Sequence, residues 1–299
     1  MENFALIFSA VFIGYIINRL DIFPKDAPII LNQFILYISA PAMILLQIPK
    51  LQFSYEVFIP VFIAWVVMGS SAIFIFYFSK LLSFSKEITG SLMLVGVLGN
   101  TSYLGIPIMM AYFGEKSLGY VLMYDQLGSF IALATYGTFI SVYYSSTTNV
   151  NIKAIALKIA TFPPFLALII SLFFIGTSFY PIIDSVLSSL ASTIVPLALV
   201  AVGLQLRFKL PLNDLKPFVL ALSTKLVLAP IIAIVLCYIF SWENQAALIS
   251  IMEASMAPMI TAAAVASMAG LAPRLSSSIV GYGILLSFLT TWIVYNFIT

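Results

Sequence analysis

The sequence contains no histidine and a single cysteine, Cys237. That excludes Ser-His-Asp and Cys-His catalysis, leaves no disulfide within the chain, and removes the usual Cys/His zinc sites. No GxxxxGK[ST] loop is present, so nothing in the chain points to direct ATP drive. With no metal-binding cluster and no activated nucleophile, the chain is not expected to be an enzyme or to hold a cofactor. Charge is scarce too: Asp, Glu, Lys and Arg make up 8% of the residues, against about a quarter in an ordinary soluble domain. A net charge of +2 without a basic cluster gives no footprint for nucleic acid.

What the chain has is apolar surface. Hydrophobic residues are 62% of its 299 positions, and the mean hydropathy is +1.13. A core of this size cannot hide that much, so lipid is the expected solvent. A bilayer core of roughly 30 Å takes about 20 apolar residues per helix. Punctuation at charges, Pro and Gly predicts ten helical spans, near 3–19, 27–49, 55–79, 87–113, 117–144, 153–175, 181–206, 213–240, 243–269 and 274–298. The first follows Met1-Glu2-Asn3 with no basic stretch and is expected to be a retained span rather than a cleaved signal.

Ten spans place both termini on one side. The opposite side then carries Arg19, Lys25, Lys80, Lys86, Lys153, Lys158, Arg207, Lys209, Lys216 and Arg274, and the terminal side only Lys50 and Lys116. Ten against two predicts extracytoplasmic termini in the cell membrane.

"APAMILLQIPKLQF" (Ala40–Phe53) lies over "VPLALVAVGLQLRF" (Val195–Phe208) without a gap, and "AYFG" (Ala111–Gly114) over "SMAG" (Ser267–Gly270). Spans one to five therefore recur as six to ten, in residues 1–149 and 150–299. An odd number of spans per repeat gives the halves opposite topology, the inverted-repeat plan of many secondary transporters.

Spans four and nine are each interrupted by small polar residues and a proline, in "GNTSYLGIPIM" (Gly99–Met109) and "EASMAPMITAAA" (Glu253–Ala264). A lone proline such as Pro41, Pro196 or Pro230 is most simply a kink. Paired interruptions at equivalent places point to a binding site near the bilayer midplane. Asn100, Thr101, Ser102, Tyr103 and Pro107 are the candidates in the first half, and Ser255, Met256 and Pro258 in the second.

These residues resemble the auxin efflux carrier family, which includes plant PIN-type auxin carriers and prokaryotic permeases assigned to malate, malonate and related acids. The resemblance runs over the whole chain and rests on the Gly-Asn-Thr…Leu-Gly-x-Pro string. It implies a fold like that of bile-acid/sodium symporters and sodium/proton antiporters, with helices four and nine broken and crossing beside the substrate. It further implies a scaffold of spans one, two, six and seven, a moving unit of spans three to five and eight to ten, and a homodimer through the scaffold. PIN-type carriers often insert a long loop between spans five and six, whereas here the linker is about Ser145–Asn151.

Three ionisable residues fall within spans: Asp125, Lys225 and Glu253. Each would cost ~2.5–3.5 kcal/mol or more facing lipid at the bilayer centre. They are expected to face the interior, no more than two of them sharing one cavity, and to couple transport to protons or sodium. The alternative is a fixed Lys–carboxylate pair that only docks helices. Asp125 lies nearer the outer end of its span, where a water-filled vestibule would solvate it; Gln126 is a further ion-coupling candidate, and Tyr124 and Gln126 add hydrogen-bonding groups, although successive helical residues point in different directions. The expected function is alternating-access transport of a small organic anion, a dicarboxylate or an auxin-like weak acid. A cation/proton antiporter and a non-transporting sensor are the alternatives.

Overall fold

The computed structural model describes residues 2–50, 55–145, 157, 160–177, 179–206 and 214–299. Apart from Ser145, the predicted linker Ser145–Asn151 lies outside them. So do Lys153, Lys158, Arg207, Lys209 and the closing residues of the Ala40–Phe53 and Val195–Phe208 match.

Every regular element among the described residues is helical. Six helical stretches are long and apolar enough to cross a membrane: Ala27–Lys50, Tyr55–Leu81, Glu115–Tyr144, Pro181–Gln205, Leu215–Ile239 and Pro273–Ile298. These are the second, third, fifth, seventh, eighth and tenth predicted spans. The first and sixth appear as shorter apolar helices, Leu6–Arg19 and Pro163–Leu172. The fourth and ninth are divided.

In chain order, α1 is Glu2–Arg19. The second span is α2 (Ala27–Phe34), a wide π turn at Ile35–Ser39 and α3 (Ala40–Gln47). α4 is Ile59–Leu81. The divided fourth span is α5 (Lys86–Val95) and α6 (Ile106–Phe113). The fifth comprises α7 (Leu118–Met123), π turns at Tyr124–Phe130 and Leu133–Gly137, and α8 (Thr138–Tyr144). α9 is Pro163–Leu172, and α10 (Pro181–Ser192) and α11 (Ile194–Gln205) meet at Thr193. The eighth span is α12 (Leu215–Ser223), a π turn at Thr224–Leu228 and α13 (Ala229–Ile239). α14 (Gln245–Ala254) and α15 (Ile260–Met268) are the divided ninth, and α16 (Pro273–Ile298) is the last.

The prolines act differently from simple kinks. Pro41, Pro107 and Pro230 are each the second residue after a π turn, in α3, α6 and α13. A proline lacks an N–H and its ring clashes with the carbonyl four residues back. Widening the preceding turn moves those carbonyls aside and bonds them five residues on. Ala40 N–H to Ile35 O, Gly105 N–H to Asn100 O (3.0 Å) and Ala229 N–H to Thr224 O are such bonds.

α1 and α11 cross at Gly14 and Gly203. A Cβ on Gly203 would run into the Val11 carbonyl oxygen and lie 2.9 Å from the Gly14 Cα; one on Gly14 would meet the Val200 carbonyl oxygen. Small residues let two membrane helices approach backbone to backbone. Gly203→Ala is therefore expected to destabilise the protein by about 1–3 kcal/mol, the usual cost of overpacking. Thermal unfolding in detergent checks this, and an unchanged Tm would contradict it.

α1 and α16 run antiparallel. The Phe8 ring packs 5.1 Å from that of Phe288, while Asn18 and Ser277 line one cavity. Both chain ends thus lie at the same end of the bundle.

Candidate functional site

The two divided spans meet. α5 stops at Val95, and the chain is non-helical over 96–100, with Gly99 in a bridge, before helix resumes at Thr101. α14 stops at Ala254, and its chain is extended at Pro258 and Met259. Each break strands backbone donors and acceptors that lipid cannot satisfy. The breaks satisfy one another: Asn100 N–H donates to Ala257 O at 2.7 Å and Met259 N–H to Leu98 O at 2.9 Å. They form an isolated antiparallel bridge at Gly99 and Pro258.

Pro107 is not at this crossing. The interruption spans 96–100, and the π turn at 101–105 lets the helix run on past the proline. Pro107 instead lines a cavity with Leu6, Met43 and Pro196. In the second half the proline does sit at the break, and its ring is accommodated by Gly283 of α16, where a Cβ would collide with Pro258 Cδ. Gly283 carries no signal in the sequence, because its partner lies 25 residues away on another helix.

All three intramembrane charges border the crossover. Asp125 is 2% exposed, so it is walled in rather than solvated in a vestibule. It accepts from Thr101 Oγ1 (2.5 Å) and Ser102 Oγ (2.6 Å) on Oδ1, and from Gln126 Nε2 (2.6 Å) on Oδ2. The Gln126 side chain folds back onto its neighbour within the π turn, which the ideal helical directions did not anticipate. The hydroxyl proton of Thr101 is thereby committed to Asp125.

Lys225 is buried and donates from Nζ to Ala254 O at 3.0 Å. Among the described residues no carboxylate lies within ion-pair distance of it. Glu253 is fully buried, and neither of its carboxyl oxygens has a hydrogen-bond partner.

The glycines of the Gly99–Met109 stretch belong to these charges. A Cβ on Gly99 would lie 2.9 Å from Lys225 Nζ, and one on Gly105 would lie 2.6 and 2.7 Å from the two Glu253 oxygens. Each glycine leaves room for an ionisable group from the other half of the chain. Asn100 is buried with Nδ2 unpartnered, as is Gln126 Oε1. Buried polar atoms without partners call for a reason, and here a donor and three acceptors gather at one crossing. Tyr103, Ser255 and Met256 are buried around it, with Ser255 Oγ donating to Met252 O at 2.6 Å.

Two cavities lie at opposite ends of α1 and α11. One, of about 280 Å³, is lined by Asn18, Lys25 and Gln205 and backed by Ile260 and Ala263 of α15. The other, of about 390 Å³, is lined by Ile7, Met43 and Val195 and backed by Pro107 and Met110 of α6. Beside the second, Lys50 and Lys116 share a cavity of about 470 Å³ with Gln47, Glu115 and Gln245. The two basic residues assigned to the terminal side thus come together at one mouth.

Residues 1–295 match the family described as "Membrane transport protein". A protein named as an uncharacterized transporter in Methanocaldococcus jannaschii is 29% identical over 217 residues, covering 69% of this chain and 68% of its own length. Another uncharacterized transporter, from Methanothermobacter thermautotrophicus, is 23% identical over 272 residues, covering 89% and 87%. The chain is a multi-pass membrane protein, and it belongs to the auxin efflux carrier-type family of membrane transport proteins.

Proposed function

We propose that the protein is a secondary carrier of a small organic anion, working by alternating access across the crossover. The observation that carries this reading is the set of buried, unpartnered polar atoms on Asn100, Gln126 and Glu253, together with cavities at opposite ends of the same two helices. Asn100 Nδ2 is a free donor for a carboxylate oxygen. Asp125, Lys225 and Glu253, all ionised, carry a net charge of minus one, so the anion is accommodated when a proton or a cation offsets it. Lys50 and Lys116 give the mouth at the terminal end a positive contribution that attracts anions. Transport is coupled in this reading to a proton or sodium gradient.

The reading takes residues 1–149 and 150–299 as two inverted five-helix repeats, whose divided spans meet at Gly99 and Pro258. The scaffold of this plan contains α1, α2–α3, α9 and α10–α11, and the remaining helices move against it. The termini, with Lys50 and Lys116, face outward from the cell membrane.

Radiolabelled malate uptake into proteoliposomes tests the reading, with pH, sodium and voltage gradients imposed in turn. Wild type is expected to accumulate malate under one of them. Asn100→Ala is expected to lower uptake roughly tenfold, the worth of one hydrogen bond of about 1.4 kcal/mol. No uptake of malate or indole-3-acetate, with cation-driven pH changes instead, would favour an antiporter.

A further inference from the structure

The end of α14 is built as a cation seat. The last four carbonyls of a helix lack intrahelical partners and carry its negative dipole end. Ser255 N–H takes the carbonyls of Ile251 and Met252, and Met256 N–H takes that of Glu253. Ala254 O remains, and it points to Lys225 Nζ. Nearby stands the Glu253 carboxyl, buried and without a hydrogen bond of its own. A freed helix-end carbonyl beside an unpartnered carboxylate is the oxygen chemistry that holds an alkali cation in broken membrane helices. Lys225 reaches it from the π turn at Thr224–Leu228, through the space that Gly99 leaves open.

We propose that Lys225 is a tethered cation, its ammonium on the Ala254 carbonyl standing where a monovalent cation would sit at the end of α14, with the Glu253 carboxyl supplying charge from beyond ion-pair distance, and that removing it opens this position to sodium. The proposal deepens the carrier reading and rests on the crossover being the working site. In the native chain the position is filled covalently, so sodium has no place there and the gradient that drives transport acts elsewhere.

The test is thermal unfolding of detergent-purified protein in sodium chloride against choline chloride at equal ionic strength, with potassium chloride as a further arm. Wild type is expected to show no sodium-specific rise in unfolding temperature that Glu253→Gln removes. Lys225→Ala is expected to unfold roughly 5–10 °C higher in sodium at about 100-fold above its Kd. Lys225→Met, which refills the space without charge, and Lys225→Ala with Glu253→Gln are expected not to respond.

A sodium-specific rise in wild type that Glu253→Gln removes would overturn the proposal. So would a folded Lys225→Ala indifferent to both cations. Failure to recover Lys225→Ala in sodium counts against it equally, because a seat able to hold sodium would restore the missing charge. Potassium alone raising the unfolding temperature supports the seat and assigns the larger ion. The readout is binding, so failure to transport malate would remove the carrier reading and leave this result standing.

Discussion

Gly105→Ala is expected to lower substrate uptake by about 100-fold or more, although the change adds one methyl group to a helix. In most helices, replacing Gly by Ala gains about 0.5–1 kcal/mol through backbone entropy and propensity. Here the sign reverses. The new Cβ would stand 2.6 and 2.7 Å from the Glu253 oxygens and 3.1 Å from its Cδ. Those distances are closer than carbon and oxygen tolerate, so the carboxyl must leave its place. Fully buried and without hydrogen bonds, it has no alternative partner to move toward. A displacement of about 1 Å at a working group costs on the order of 100-fold in rate.

Gly69, in α4, is the control. A Cβ there meets nothing within 4 Å, so Gly69→Ala is expected to leave uptake unchanged. Initial uptake rates at matched protein in the vesicles decide the matter. Equal rates for Gly105→Ala and wild type would mean that the position of Glu253 does not matter for transport.

Asp125→Ala is expected to cause the largest loss of stability of any single change at the crossover, about 3–5 kcal/mol from three orphaned donors. The carboxylate organises three donors, from Thr101, Ser102 and Gln126. Truncation leaves all of them facing a void, and each orphaned buried donor costs about 1–3 kcal/mol. Thr101 and Ser102 open the helix that resumes after the break, so their release loosens the crossing itself.

Asp125→Asn separates charge from shape. It keeps the volume but turns one acceptor oxygen into a donor that must face another donor. It is expected to lose less than alanine while still losing uptake. Unfolding midpoints in detergent, read beside expression yield, check the order. An Asp125→Ala protein within 1 kcal/mol of wild type would show that these donors find other partners (about one ordinary hydrogen bond's net worth).

The glycines and the aspartate show where sequence reading stopped. From the sequence alone, the breaks in the fourth and ninth spans were legible, because small polar residues amid apolar runs violate a local rule. So was the interior placement of Asp125, Lys225 and Glu253, since lipid rejects ions wherever they fall. The placement of Pro107 was misread, because a π turn is invisible to any pattern built on 3.6 residues per turn. The same turn geometry lets Gln126 reach back to Asp125.

Composition and hydrophobic run length are read against the solvent, and the solvent is the same everywhere along a span. They therefore determined by themselves that this protein is helical, lies in a membrane, and breaks two of its helices. Only the tertiary structure decided how those breaks are resolved. Leu98, Asn100, Ala257 and Met259 satisfy one another across more than 150 residues of chain, Gly99 and Gly105 hold open the places of Lys225 and Glu253, and Ala254 offers its carbonyl to an ammonium from another helix. Such contacts depend on where distant backbones meet, and no local rule of sequence carries that.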